Sequence, residues 1–267
     1  EEELAGASVE LPADRHEKVR AILDSVRAQN RCNLVETEAR DIFKAYGLNL
    51  APHYLARNAD EAAELWQKIG GKAVMKIVSP DILHKTDAGG VALNIESAGS
   101  AREAFERLVR NGLAYKPDAD IFGVLMTPML PGGVECIIGA SHDVTFGPTV
   151  MFGLGGIFVE VLKDVFRHVG FEYEEKNPVL KDVSFRVAPI NMPSARKMVR
   201  EIRGLAMLQG ARGAKPCDLE ALAEAVCLVS HLVDELRDVA EVDLNPVFAW
   251  EKGLAVADAR IVLHPVK

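Results

Sequence analysis

The chain closes on two strand-like runs, residues 242–249 and 254–261, separated by the short turn 250–253. A hairpin of this kind ties side chains to faces. In Glu241-Val-Asp-Leu-Asn-Pro246, alternation puts Glu241, Asp243 and Asn245 on one face, with Val242 and Leu244 turned to a core. If the turn is symmetric, Ala249 pairs with Leu254, Val247 with Val256, Asn245 with Asp258 and Asp243 with Arg260. Directly opposed residues have Cβ atoms about 5 Å apart. An amide oxygen and a carboxylate would then meet on a polar face. These are hard donors suited to Mg²⁺, which takes one or two protein ligands and completes its shell with water and substrate phosphates. The competing reading is a solvated face carrying an Asp243–Arg260 ion pair.

Upstream, helix and strand patterns mix without the regular β-α-β rhythm of a doubly wound sheet. Val19, Ile22, Leu23 and Val26 repeat at helical spacing, as do Ala39, Ile42, Phe43 and Tyr46, with Gly47 placed as a C-cap. Further helices are predicted at 60–69, after a Ser100/Glu103 capping box, and at 218–236. Strands are predicted at 73–78, 121–126, 134–140 and 149–152. No G-x-G-x-x-G follows an early strand and no G-x-x-x-x-G-K-[ST] exists, which argues against a Rossmann dinucleotide site and a P-loop.

Charge narrows the partners. With 31 Lys and Arg against 39 Asp and Glu, the net charge is −8, which argues against a broad nucleic-acid or anionic membrane surface. It leaves room for a phosphate ligand, which needs only a few local donors. The most apolar stretch, residues 144–159, is uncharged but holds Pro148 and four glycines, too short and irregular for a membrane helix. No signal peptide is visible, so a cytoplasmic location is expected. The chain opens on Glu1-Glu2-Glu3 rather than Met, as a processed product, a trimmed chain or part of a longer one would. Cys32, Cys136, Cys217 and Cys227 form no zinc spacing and read as buried or incidental thiols.

Three more places could carry chemistry. Lys76 interrupts the apolar strand 73–78 and must snorkel or find an anion. The strand runs into a loop with Ser79, His84, Lys85, Thr86 and Gly89-Gly90, where glycines let N–H groups approach phosphate. Pro80 at its start and the two glycines at its end give this loop the parts of a mobile carrier. The Gly-rich apolar segment 151–160 ends on Glu160, and Glu135 is the sole charge in 124–141, a position that calls for a partner.

Read in order, V-M-K-I-x-S-P-x-I-x-H-K-T-D-x-G-G-V, G-x-E-x-I-I-G, F-G-L-G-G-I-F-V-E and E-V-D-L-N-P resemble the ATP-grasp domain of NDP-forming acyl-CoA synthetases, from about residue 34 to 263. A more distant resemblance is to the nucleotide-binding subunit of succinyl-CoA synthetase. The resemblance implies an α+β ATP-grasp fold whose two α+β subdomains clamp the nucleotide. The expected division is an N-terminal helix and linker at 1–33, one subdomain at 34–125 and the other at 126–267. Lys76, Lys85, Gly89 and Gly90 would then serve the phosphates. Met126, Thr127, Met129 and Leu130 would form the adenine-side hinge through backbone groups, and Glu135 would lie near ribose and metal. Asn245 and Asp258 would bind Mg²⁺. Asp243 would lie beside the transferred phosphoryl group, completing with His84 and Glu160 the expected catalytic set. His84 matches a histidine that relays phosphate from a partner's phosphohistidine to ADP.

The sequence departs from the family at residues 161–178, where Val161-Leu-Lys-Asp-Val165 recurs as Val179-Leu-Lys-Asp-Val183. Lys181-Asp182 is favoured for the family position because Ser184-Phe-Arg186 follows it. No CoA-binding domain and no partner phosphohistidine is recognisable. The resemblance therefore implies a hetero-oligomer in which a CoA-binding subunit carries the phosphohistidine, with ATP or ADP as substrate. The rival reading is an ATP-grasp-like regulatory or binding module of a protein acetyltransferase. Loss of His84, Asn245 or Asp258 would favour that module, and all three are present. A carboxylate–amine ATP-grasp ligase would need its own acceptor domain, for which there is little room.

Overall fold

The computed structural model describes residues 9–82, 84–143, 145–155 and 182–265. Its helices are α1 (Arg15–Ala28), α2 (Glu36–Ala45), α3 (Ala59–Ile69), α4 (Ala98–Tyr115), α5 (Met192–Glu201), α6 (Leu205–Leu208) and α7 (Leu219–Glu235). Its strands are β1 (Tyr54–Ala56), β2 (Ala73–Val78), β3 (Val91–Ile95), β4 (Gly123–Pro128), β5 (Val134–Asp143), β6 (Gly147–Leu154), β7 (Val183–Val187), β8 (Val239–Ala249), β9 (Leu254–Val256) and β10 (Ala259–Leu263). The chain divides into two units. One comprises Ala21–Asp41 and Leu50–Pro131; the other comprises Glu1–Arg20, Ile42–Asn49 and Gly132–Lys267. No helix among the described residues is long and apolar enough to cross a membrane.

The unit containing residues 50–131 is built on a four-stranded antiparallel sheet in the order β1-β4-β2-β3. Helices α3 and α4 cover one face, closing a core of Met75, Ala92, Leu108, Val124 and Met126 among others. Alternation along β2 turns Ala73 and Met75 to those helices. Lys76, opposite Leu125 of β4, points to the other face, where Val35 packs on Leu125 and Val78. The α4 cap falls one turn earlier than the Ser100/Glu103 expectation. Ser97 Oγ accepts the Ser100 N–H and Ser100 Oγ accepts the Ser97 N–H, so two serines form the reciprocal box and Ser100 is its third helical residue. Gly123, at φ +142°, lets β1 approach, because a Cβ there would land on the Ala56 carbonyl oxygen.

The other unit carries an antiparallel sheet in the order β10-β8-β5-β6-β7, with β9 also beside β8. Helix α7 runs from the Asp218 N-cap to the Leu236 C-cap, matching the expected 218–236. Its buried Leu222, Val226, Val229, Leu232 and Val233 face the core that includes Ile138, Val150, Phe152 and Leu244. The four cysteines are free thiols. Burial pushes the Cys136 thiol up to about 12 and the Cys227 thiol to about 11, which keeps both protonated and inert.

In this unit α1 is fastened to α7 by charge. Arg15 Nε and Nη2 donate to the two Glu235 oxygens at 2.9 and 2.8 Å, and the Tyr46 hydroxyl donates to Glu235 at 2.9 Å. The Arg15 hydrogen bond leads the effects that hold Glu235 below the usual glutamate range. Burial leads those that push the Tyr46 phenol up. A lowered carboxylate adds stability that is full above its unfolded pKa and is lost as pH falls through its folded pKa. Glu235→Gln is expected to cost about 2 kcal/mol near neutrality, the scale of hydrogen bonds to a charged group. Thermal melts from pH 7 to 3 should also show a smaller acid loss in the variant, and parallel curves would rule the network out as a source of stability.

Candidate functional site

Lys76 is the charged residue that β2 places on the face away from α3 and α4, and it has found an anion. Its Nζ lies 3.3 Å from Glu36 Oε1 in the first turn of α2. Glu36 also accepts from Arg40 Nε at 3.1 Å and from Lys85 Nζ at 2.8 Å. The Glu36 side chain is 1% exposed, against 12% for Lys76 and 20% for Lys85. A carboxylate so deep is tolerated only with cationic partners. Sequence reasoning missed Glu36 and Arg40. The signal was present, since both lie four apart on the same stripe as Phe43, an ion pair written into an apolar helix face.

Residues 84–90 fold back on themselves. The Ala88 N–H donates to the His84 carbonyl at 3.3 Å, Gly89 to Thr86 at 3.0 Å and Gly90 to Lys85 at 2.7 Å. The N–H groups expected to cradle phosphate are thus used inside the loop. Gly90 is needed because a Cβ would sit 2.5 Å from Ile77 Cγ2. The described part of the loop is also tied to its surroundings. Ile82 and Ala88 are buried, and Lys85 is tied to Glu36. Asn111 Nδ2 donates to the Gly89 carbonyl. Asp81 accepts from Lys116 Nζ at 2.7 Å and from the Asp120 N–H at 2.8 Å, and the Lys116 hydrogen bond leads the effects that hold Asp81 low. His84 stands exposed on this fixed platform.

The hairpin has the expected register. Ala249 lies opposite Leu254, Val247 opposite Val256 and Asp243 opposite Arg260. Asn245 and Asp258 meet where β9 gives way to β10, and the Asn245 N–H donates to the Asp258 carbonyl at 3.3 Å. The second run is therefore two short strands, broken at Ala257 and Asp258. Arg260 Nη1 reaches Glu241 at 3.5 Å. Asn245 is exposed and Asp258 half-buried, so both can reach a ligand. No group of three or more His, Cys, Asp or Glu among the described residues could hold a metal. A pair of hard oxygens fits an ion that takes the rest of its shell from water and phosphate.

Glu135 shares the outward side of β5 with Gly139, which pairs with Asp243 across the β5–β8 bulge. It is half-buried, and its carbonyl accepts the Gly155 N–H at 2.8 Å, so the Gly-rich segment starts beside it. Met126 and Thr127 lie near the end of β4 with buried side chains, and the Met129 N–H donates to the Lys72 carbonyl at 2.7 Å. Leu130 follows, just before the unit boundary after Pro131. Glu160, the first Lys-Asp copy and the 161–178 departure lie outside the described residues. Of the second copy Asp182 is described, and it accepts the Gly204 N–H at 2.9 Å ahead of α6.

Against known proteins, the ATP-grasp domain family matches residues 25–263. The beta subunit of acetate–CoA ligase (ADP-forming) I from Pyrococcus furiosus is 48% identical over 250 residues, 94% of this chain and 100% of that subunit. An acetyl-coenzyme A synthetase from Ca. Korarchaeum cryptofilum, solved with coenzyme A, Ca-AMPCP and HgCl⁺, matches with a TM-score of 0.82 at 39% identity, over 92% of this chain and 99% of that one. The same synthetase with coenzyme A and Mg-AMPPCP has its phosphohistidine segment pointing towards the nucleotide binding site. It matches with a TM-score of 0.75 at 37% identity, over 92% and 100% of the two chains.

Proposed function

The chain belongs to the ATP-grasp domain family, among the beta subunits of ADP-forming acetate–CoA ligases, and on that premise we propose that it is the nucleotide-binding subunit of an ADP-forming acyl-CoA synthetase. The reaction is acyl-CoA + ADP + phosphate ⇌ carboxylate + CoA + ATP. The observation that carries this reading is His84, an exposed imidazole on a fixed loop, next in sequence to a lysine that shares one buried carboxylate with Lys76.

A neutral His84 nitrogen attacks the phosphorus of a phosphohistidine on the partner. The P–N bond to the partner breaks as the P–N bond to His84 forms. A β-phosphate oxygen of ADP then attacks, giving ATP and returning the free imidazole. Splitting one long transfer into two short ones is the ordinary use of a covalent carrier. Lys76 and Lys85 supply positive charge for the phosphate oxygens. Asn245 and Asp258 would hold Mg²⁺, which when bound neutralises charge on the nucleotide phosphates. Asp243 and Glu135 share their sheet face.

Partner dependence tests the reading. The purified chain is expected to bind Mg-ADP or Mg-ATP by calorimetry yet form no acyl-CoA from ATP, CoA and a carboxylate. Activity should appear on adding a CoA-binding subunit that carries the phosphohistidine. A lone chain that makes thioester would overturn this assignment of roles.

A further inference from the structure

Glu36 joins three pieces of one unit: the first turn of α2, the Lys76 position of β2 and the loop that presents His84. Its two oxygens are divided between them, Oε1 taking Arg40 and Lys76 and Oε2 taking Lys85. Arg40 is itself fully buried, so one side of the carboxylate is fixed by the helix that bears it. Lys85 is the residue after His84, and its carbonyl closes the loop by accepting the Gly90 N–H. Holding the Lys85 ammonium therefore holds the backbone from which His84 projects. The carboxylate is 1% exposed, so no direct contact with a nucleotide is needed to account for it.

We infer that Glu36 is a positioning residue for phosphoryl transfer, setting Lys76 and Lys85 as a pair and fixing His84 through Lys85. This rests on the relay reading of His84. An in-line transfer is sensitive to displacement, since a misplacement of about 1 Å can cost on the order of 100-fold in rate. Glu36→Asp keeps the charge but shortens the reach by one methylene, so it cannot serve both lysines. Glu36→Gln keeps the reach but turns an amide N–H₂ towards one ammonium.

With the partner subunit present, both variants are expected to lower the rate of ATP formation roughly 10- to 100-fold while the KM for ADP changes less than about threefold. Radiolabel from phosphate should reach His84 correspondingly more slowly. A role in folding alone would lower the melting temperature and leave kcat intact. Lys85→Ala cuts the same tie from the loop side while Glu36 keeps Arg40 and Lys76. It is expected to slow turnover at least about tenfold through that tie together with the lost positive charge for the phosphates, and Glu36→Asp should cost markedly less in this background than alone, because the Lys85 tie is already gone. Normal turnover in Glu36→Asp, or losses that multiply in the combined variant, overturns the assignment. Should Glu36→Asp fail to fold, normal turnover in Lys85→Ala overturns it instead. His84→Ala and Lys76→Ala, run alongside, separate the two ideas. A normal His84→Ala rate faults the relay itself, whereas an inactive His84→Ala beside a normal Glu36→Asp removes only the role of Glu36.

Discussion

His84→Ala is expected to abolish ATP formation from acyl-CoA, ADP and phosphate while leaving Mg-ADP binding within about twofold. The side chain is exposed and the loop is closed by backbone hydrogen bonds that do not involve it, so its loss leaves the platform standing. Removing a nucleophile that works as a unit with its partners costs at least about a thousandfold in turnover. A coupled ATP assay reads the loss, and acid-labile radiolabel on this chain should vanish with it. A His84→Ala chain that still makes ATP at the normal rate would refute the relay.

The second large effect is expected at the hairpin. Asp258→Asn should weaken Mg-ADP binding roughly 30-fold, about 2 kcal/mol, and change metal-free ADP binding less than twofold. The amide keeps the size of the side chain but removes the charge that a hard dication selects. The local backbone survives the change, because it is the Asp258 carbonyl and not its carboxylate that accepts the Asn245 N–H. Calorimetry with Mg²⁺ and with chelator separates the two cases. Equal losses in both would exclude Asp258 as a ligand.

The hairpin was readable in the sequence because three constraints agreed there. Alternation, a short turn and a core face of Val242 and Leu244 agree on one register, in which a slip of one residue would turn both to water, while Val247 joins that face because the β5–β8 ladder shifts between Leu244 and Val247. Helix α7 was legible for a similar reason, since its stripe spans about five turns behind the Asp218 N-cap. Of the missed strands β1, β3 and β7, the first two fail that test visibly. β1 has three residues, too few for any period to show, and β3 carries an exposed Leu93 that breaks its polar side. Glu36 escaped because local pattern gives a glutamate at a helix start an ordinary role at the dipole's positive end. Its real partners come from β2 and from the following loop, 40 and 49 residues away. Glycines 89–90 pose the opposite problem. The sequence marks where backbone can come close, while the fold decides which neighbours come close there, Ile77 and the Lys85 carbonyl at Gly90 and Asn111 at Gly89.

The way the two units share the chain bears on when the protein can finish folding. Arg15 pairs with a carboxylate 220 residues further on, and Tyr46 with the same group 189 residues on. During synthesis at about 5–20 residues per second, Arg15 waits roughly 10–40 s for Glu235 to be made. The segments Glu1–Arg20 and Ile42–Asn49 belong to the unit completed by Gly132–Lys267, so that unit cannot close while the chain is still short. A fragment that starts at residue 126 would leave Glu235 without its guanidinium and its phenol, however well its sheet were formed. The unit with residues 50–131 has no such debt to the C-terminus. It should acquire protease resistance on stalled nascent chains well before α7 and the closing hairpin emerge from the ribosome.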